Sequence, residues 1–304
     1  MKGLRRLDVD GINSNHTITI RGRAMDMTVD GVRLFYHSVG AEDAYPVIVL
    51  HGGPGLDHTE MHPWLDPLSN TFRLIYLDLR GHGRGEKVDP ATLTLSRYAE
   101  DVTALANELG AQQYALLGHS YGAFIALTHA IEQGDASHYI ISAGSASMSK
   151  SMPEIEANLA SFEPIELREQ VTESWAREPQ VRTVEDAAEL MRMQMPFHFA
   201  SVESDGYRRY LQAEDHAIYS PEILAYTASH EYHIEYEAML GSIKKPTLIL
   251  VGEHDRTTTP RAAREMHEGI AGSRLQIIPE AGHQSYIEQP DIYFAAVRDF
   301  LTQR

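Results

Sequence analysis

The chain has no cysteine among its 304 residues. Disulfides, a cysteine nucleophile and cysteine-ligated metal sites are therefore excluded. No apolar run approaches the roughly 20 residues that span a bilayer, and no apolar stretch follows the basic residues near the N-terminus, as a signal peptide would require. We therefore expect a cytoplasmic protein that does not enter a membrane.

Basic side chains are also scarce, with 26 Lys and Arg against 43 Asp and Glu, a formal net charge of −17. Such a charge repels phosphate backbones, so we expect no nucleic-acid partner. The sequence has neither a dinucleotide glycine fingerprint nor a phosphate-binding loop, so we expect no cofactor. His230 and His233 stand three apart, whereas a zinc-binding His-Glu-x-x-His motif needs four, so we expect no metal.

What the chain does contain is a serine in a glycine-flanked turn. Residues 118–122 read Gly-His-Ser-Tyr-Gly, between the apolar run 114–117 and the apolar segment 123–127. A strand that turns abruptly into a helix crowds its own backbone, so the positions two before and two after the apex must lack side chains. The pattern predicts a nucleophile elbow with Ser120 at its apex.

A glycine-rich loop upstream supplies a partner for that serine. The short apolar run 46–50 predicts a strand, and it leads directly into His-Gly-Gly-Pro-Gly at 51–55. In a site of this kind, two backbone amides receive the oxyanion: one follows the nucleophile and the other comes from a loop after an earlier strand. We predict the amides of Tyr121 and Gly53 for this role, with Gly52 as the alternative to Gly53.

Two further strands end in an acid and a base. The apolar run 246–252 leads to Asp255, and residues 273–279 lead to His283. An imidazole can take the proton of a serine hydroxyl and return it to the leaving group, and a carboxylate can hold that imidazole in the correct tautomer. The order serine, aspartate, histidine is the one expected for an elbow of this type. Glu253 is the alternative acid.

Four segments together carry a family resemblance: 51–55, Asp-Leu-Arg-Gly at 78–81, 118–122, and Gly-Glu-His-Asp at 252–255. The chain resembles serine α/β-hydrolases, and this combination is similar to the proline iminopeptidase family. The resemblance implies an α/β-hydrolase fold, in which a mostly parallel central sheet has helices on both faces and an inserted helical cap. It also implies an acyl-enzyme mechanism that releases an N-terminal residue, often proline, from small peptides or amides.

The substrate remains open at this stage, because the same motifs occur in esterases and lactonases. A carboxylesterase or an acyl-lactone hydrolase would use the same three residues. A relative that binds a small ligand without turnover is a third possibility from a different functional class. In each case the partner is a small molecule or short peptide, and the sequence leaves the oligomeric state undetermined.

The periodicity of the chain divides it into a core and an insertion. Strand and helix patterns alternate over residues 1–145 and 241–304, as in a parallel sheet covered on both faces. They include a hairpin turn at 30–31 and an amphipathic helix at 94–109. The alternation stops over residues 146–240, which have a helix-rich composition, and we predict that this segment is a helical cap over the active site.

The predicted cap carries 18 acidic residues against 7 basic ones. The family resemblance implies a carboxylate that binds the substrate's ammonium, since burying an unpaired charge is costly. Solvated helix faces would explain the same acidic excess. The acidic candidates are Glu203, Glu214, Asp215, Glu231 and Glu235, of which Glu214 and Glu231 are preferred, and Trp175 and Tyr232 are candidates for the pocket wall.

Two features outside the cap modify this picture. Arg256 directly follows the predicted catalytic aspartate, and a cation at that position disfavours an ammonium nearby. Asp78 and Arg80 are interpreted as a structural pair that braces the loop at 51–55, which we call the oxyanion loop after its predicted role.

Overall fold

A computed structural model describes residues 22–230 and 233–303. Eight strands form a single sheet in the order β1-β2-β4-β3-β5-β6-β7-β8. Strand β2 is antiparallel to β1 and β4, and every other neighbouring pair is parallel. The strands are β1 (Arg23–Val29), β2 (Val32–Val39), β3 (Tyr45–Leu50), β4 (Phe72–Asp78), β5 (Ala115–His119), β6 (His138–Ser142), β7 (Thr247–Gly252) and β8 (Arg274–Ile278).

The hairpin between β1 and β2 turns on Asp30 and Gly31. Both residues have positive φ, at 48° and 79°, which is the requirement of a type I′ two-residue turn. Val29 and Val32 pair directly across the turn. The predicted hairpin is therefore confirmed.

Ten α-helices are described in these ranges. Helix α1 begins after Thr94, whose side chain accepts the N–H of Arg97, so the predicted helix at 94–109 is confirmed within one residue at each end. The helices are α1 (Leu95–Glu108), α2 (Tyr121–Glu132), α3 (Met148–Ala160), α4 (Ile165–Arg177), α5 (Val184–His198), α6 (Asp205–Gln212), α7 (Pro221–Ala228), α8 (Pro260–Gly269), α9 (Ser285–Glu288) and α10 (Pro290–Thr302). None of them combines the length and apolar character needed to cross a membrane.

Both faces of the sheet are buried, because alternate residues of each strand point to opposite sides. On β3, Leu50 packs in a cluster with residues of α1, α2 and α8, whereas Val49 packs in a second cluster with residues of α10. Burying such a side chain contributes about 1.5–3 kcal/mol. Two-sided burial explains why the central strands read as continuous apolar runs.

Helices α3 to α7 lie between β6 and β7 in the chain. They have small apolar clusters of their own, one around Phe162, Val171 and Phe197 and another around Leu190 and Tyr219. The sheet strands contribute to neither cluster. The segment also packs on the core, since Met148 and Met195 belong to the two large clusters that contain the strands. We call it the inserted helices.

The carboxyl ends of β3, β5, β7 and β8 lie at one edge of the sheet, because these strands run parallel. The segments that follow them are the glycine-rich loop, the turn into α2, and the loops that contain Asp255 and His283. Open α/β sheets bind ligands at this edge. The topology thus gathers the predicted site residues at one place.

Candidate active site

Ser120 occupies a strained turn between β5 and α2. Its backbone has φ 52° and ψ −112°, and its N–H donates to the carbonyl of Ser142 at 2.9 Å. A Cβ on Gly118 would lie 2.1 Å from the carbonyl oxygen of Gly122, and one on Gly122 would lie 2.4 Å from that of Leu50. A side chain at either position would therefore force the surrounding backbone to shift, which explains the two glycines.

The acid and base meet directly. Asp255 Oδ2 lies 2.8 Å from His283 Nδ1, and both residues are only 4% exposed. The backbone N–H groups of Thr257 and Thr258 also donate to Asp255, at 2.9 and 3.0 Å. The alternative acid, Glu253, is exposed and accepts the N–H of Glu280 at 3.3 Å. The structure thus brings Asp255, and not Glu253, to the histidine.

Electrostatics favour the ion pair between these two side chains. Burial opposes the charged form of His283, but the charge of Asp255 and its hydrogen bond outweigh burial and raise the histidine pKa. Burial likewise opposes the charged form of Asp255, yet His283 and the surrounding donors lower its pKa to about 2. The carboxylate therefore stabilises the imidazolium that proton transfer would create.

A cavity of about 580 Å³ opens above this edge of the sheet. Ser120, His283 and Gly53 line it from the core. Its volume lies in the range typical of small-molecule sites. The inserted helices form the opposite wall with Met152, Trp175, Met191, Met195, Tyr210 and Glu214.

The candidate oxyanion amides differ in their surroundings. Gly53 lines the cavity with φ at 113°, and no acceptor for its N–H lies among the described residues. Tyr121 is the first residue of α2, so its N–H points out of the helix beside Ser120. The N–H of Gly52 donates to the side chain of Glu60. The geometry therefore favours Gly53 over Gly52.

The brace beneath the oxyanion loop is not the predicted pair. Arg80 forms two hydrogen bonds with Asp101, at 2.5 and 2.8 Å, and none with Asp78. Asp78 instead accepts from the backbone and ring of His58, at 2.9 and 2.6 Å, and from the N–H of Arg84 at 2.7 Å. The pairing of Asp78 with Arg80 was wrong, although Asp78 does brace the segment after the loop.

Residues 45–290 match the sequence model of a family described as alpha/beta hydrolase fold. The chain belongs to this family. It is 28% identical over 288 residues to a proline iminopeptidase of Lactobacillus crispatus, an alignment that covers 90% of this chain and 96% of the relative. The predicted fold class and the resemblance to proline iminopeptidases are both confirmed, and the protein is a hydrolase.

Solved structures agree on the fold. A proline iminopeptidase-related protein from Thermus thermophilus superposes with a TM-score of 0.71 at 26% identity, covering 92% of this chain and 97% of that chain. An enol-lactonase from Burkholderia xenovorans superposes with a TM-score of 0.70 at 22% identity, covering 92% and 100%. The α/β-hydrolase fold is therefore shared by proteins named for different substrates.

Two further histidines flank the His283 ring in this hydrolase. The rings of His119 and His198 lie 4.9 and 5.1 Å from it, centroid to centroid. Burial lowers the pKa of His198 to about 3 and holds that of His119 well below its usual value. Both rings therefore stay neutral when His283 gains a proton. The contact of these two rings with His283 was not predicted, because the spacing of the three histidines along the chain does not show that they lie together in the fold.

Arg256 of the hydrolase points away from the cavity. Its guanidinium donates to the carbonyls of Phe197, Phe199 and Ala200, at 3.2, 2.6 and 3.0 Å. These carbonyls lie at the end of α5, where a cation is favourable. This charge is directed at the helix end, and the expectation that it disfavours a substrate ammonium stays a prediction.

A carboxylate, Glu288, also links the core to the end of α5. We call the contacts between the core and the end of α5 the join between the core and the inserted helices. Glu288 accepts the N–H of Gly282 at 2.6 Å and that of Ala200 at 2.9 Å. The N–H of His283 donates to the carbonyl of His198 at 2.7 Å. The loop that carries the histidine is therefore tied to the end of α5 through backbone contacts.

The predicted cap candidates are scattered. Trp175 lines the cavity, and so do Glu214 and Asp215, both of which are exposed. Glu203 and Glu235 do not line it, and Glu235 accepts from Ser147 Oγ and the N–H of Ser149. The predictions for Glu231 and Tyr232 lie outside the described residues.

A cluster of potential metal ligands is already satisfied by a cation. Ligand atoms of Asp57, His58 and Asp78 lie within 4.8 Å of one another. Arg84 Nη1 lies 2.6 Å from Asp57 Oδ2 and 3.8 Å from Asp78 Oδ2. The guanidinium supplies the positive charge that these carboxylates require, and the expectation of no metal stays a prediction.

Proposed function

We propose that this hydrolase works through an acyl-enzyme, with Ser120 as nucleophile, His283 as general base and Asp255 as the acid that orients it. The observation that carries the proposal is the buried contact between Asp255 and His283 at the wall of the cavity that Ser120 also lines. The strained backbone of Ser120 is typical of a nucleophile elbow.

The steps follow from these positions. Ser120 Oγ attacks the substrate carbonyl carbon while His283 takes the hydroxyl proton, and the amides of Gly53 and Tyr121 receive the negative charge that develops on the carbonyl oxygen. Collapse breaks the bond to the leaving group, which gains the proton from His283. Water then repeats the sequence on the ester and releases the acyl product.

We propose an aminopeptidase of proline iminopeptidase type, which releases an N-terminal residue from small peptides or amides. Relatives named proline iminopeptidase support this substrate class, since the alignment extends over most of both chains. The cavity also suits it in size and in its acidic lining, which includes Glu60, Glu178, Glu214 and Asp215.

An ester or lactone is the second candidate, and the apolar part of the cavity wall supports it. Met152, Met191, Met195, Trp175 and Leu224 give the wall a large apolar area, which suits an acyl chain as well as a proline ring. The same three catalytic groups would serve either substrate.

A substrate panel separates the candidates. We would compare kcat/KM for prolyl and alanyl arylamides, their N-acetylated forms, short acyl esters and acyl lactones. An aminopeptidase prefers the free arylamides, and N-acetylation lowers their cleavage by at least about 10²-fold, the value of a lost charge-assisted contact. Faster cleavage of acyl esters or lactones would replace the proposal by the second candidate, and the absence of any turnover would indicate a ligand-binding protein.

A further inference from the structure

We propose that Glu60 binds the positively charged nitrogen of the substrate's acyl group. Glu60 lies between β3 and β4, in a segment that we call the core loop, and not in the inserted helices. This inference rests on the proposed acyl transfer at Ser120 and specifies the substrates that the site selects. It assigns to the cavity a preference for acyl donors that carry an ammonium next to the reacting carbonyl.

The position of Glu60 supports this role. The residue is half-buried, lines the cavity, and accepts the N–H of Gly52. Gly52 directly precedes Gly53, so the carboxylate lies beside the segment that carries the proposed oxyanion amide. The α-nitrogen of an aminoacyl group is only two bonds from the carbonyl carbon. An acyl group whose oxygen contacts Gly53 therefore places its nitrogen near Glu60.

The other acids at the cavity are less suited to this contact. Glu178 accepts a hydrogen bond from Gln194 Nε2 at 2.5 Å on the inserted helices. Asp215 accepts from the hydroxyl of Tyr219 and the N–H of Ala217, both at 3.0 Å, and is exposed. Glu214 is exposed beside His216, at 3.3 Å. All three belong to the segment between β6 and β7, whereas Glu60 lies in the core segment directly after the glycine-rich loop at 51–55.

The charge of Glu60 explains why a contact with the substrate ammonium would be favourable. Burial raises its carboxyl pKa to about 7, although the hydrogen bond from Gly52 and the charge of His283 oppose this change. A bare carboxylate here would repel the negative charge that develops on the substrate oxygen. A substrate ammonium beside Glu60 removes that repulsion and stabilises the ionised carboxylate. The site should therefore favour free amines in the transition state as well as in binding.

The test is Glu60→Gln, which keeps an oxygen to accept the Gly52 N–H but removes the charge. Matched substrate pairs differ only in N-acetylation: alanyl and N-acetylalanyl arylamides, and the corresponding p-nitrophenyl esters. We expect Glu60→Gln to lower kcat/KM for the free-amine substrates by about 10²-fold and to change that for the acetylated substrates by less than about threefold. The preference for the free amine would then largely disappear.

The ester pair separates this inference from the proposed function. A wild-type enzyme that cleaves only esters, with a preference for the free amine that Glu60→Gln removes, would overturn the aminopeptidase proposal and support the role of Glu60. Equal losses on free and acetylated substrates would mean that Glu60 only supports the loop. Loss of the preference in Glu178→Gln but not in Glu60→Gln would assign the contact to Glu178, and a wild type without any preference would also overturn the inference.

Discussion

The residues at the sheet edge and those of the inserted helices are held in place by different kinds of contact. At the edge, Ser120, Asp255 and His283 are fixed by backbone turns and buried partners, and the glycines beside Ser120 touch neighbouring carbonyls. The inserted helices pack around small clusters of their own and present exposed acids, such as Glu214, to the cavity. The proposed catalytic residues thus belong to the core, whereas the inserted helices form one wall of the cavity.

The two regions are nevertheless joined at the end of α5. Arg256 and Glu288 contact the backbone there, and the carbonyl of His198 accepts the N–H of His283. A change in the inserted helices can therefore reach the histidine without touching the substrate. The comparison predicts large effects from substitutions at the edge, intermediate effects at the join, and small effects at the exposed wall.

Removing the proposed nucleophile should produce the largest effect. We expect Ser120→Ala to lower kcat on the preferred substrate by about 10⁶-fold, because the acyl-enzyme cannot form. Steady-state kinetics would measure the loss, and circular dichroism would show whether the variant remains folded. A folded variant with a loss below about tenfold would mean that another side chain is the nucleophile.

Removing the charge of the acid should have the next largest effect. We expect Asp255→Asn to lower kcat by about 10⁴-fold, since the imidazolium loses its partner and its orientation. The wild-type kcat/KM should fall as pH decreases through a His283 pKa above the usual 6.5, because Asp255 raises that pKa and the base must be neutral.

The pH profile provides an independent measurement on the same pair. Asp255 supplies the main influences that raise the pKa of His283, and without it burial is opposed only by the smaller effect of the Glu60 charge. The acid limb of residual activity in Asp255→Asn should therefore move to lower pH. An acid limb that stays in place would mean that Asp255 does not interact with the catalytic base.

The elbow can be tested through stability. A Cβ at Gly122 would meet the carbonyl oxygens of Leu50 and His51 at 2.4 and 2.7 Å, so Gly122→Ala should lower the free energy of unfolding by about 3 kcal/mol, or ~10²-fold in the equilibrium constant. Gly241→Ala is the matched control, because nothing lies within 4 Å of its Cβ position, and we expect a change below about 0.5 kcal/mol. Urea unfolding would compare them, and equal stabilities would show that the turn can relax.

The sequence predicted the core of the site because local patterns determine it. Ser120 needs glycines at fixed offsets, and Asp255 and His283 each follow an apolar strand whose end must reach the same edge. These are constraints of one element and its immediate neighbours. From these constraints one can predict that residues far apart in the chain meet at one edge of the sheet. The prediction needs no information about side-chain packing.

The unpredicted contacts depend on how separate elements pack. Arg80 pairs with Asp101 on α1, 21 positions away, although Asp78 is closer in the chain. His198 reaches His283 only because the end of α5 lies on the histidine loop. Glu60 lies in a polar loop with no periodic pattern, so only the fold shows that its carboxylate reaches Gly52.

The join between the regions should give an intermediate effect. Arg256→Ala leaves the carbonyls of Phe197, Phe199 and Ala200 without their donor, so the end of α5 should shift and displace His283. We expect kcat to fall by about tenfold, which corresponds to a rise of roughly 1.4 kcal/mol in the activation free energy. KM should change little. Arg256→Lys keeps the charge and should recover part of kcat. A lower melting temperature with unchanged kcat would mean that the join serves stability alone.

The smallest effect should come from the exposed wall. Glu214 lines the cavity, but it is exposed beside His216, and exposed ion pairs contribute about 0–1 kcal/mol. We therefore expect Glu214→Gln to lower kcat/KM for a free-amine arylamide by no more than about threefold, and less at high salt, where exposed charges are screened. Assays of Glu214→Gln and Glu60→Gln on the same substrate, at low and high ionic strength, would compare the two regions directly. A loss of about 10²-fold in Glu214→Gln would show that the inserted helices, and not the core loop, bind the substrate's charge.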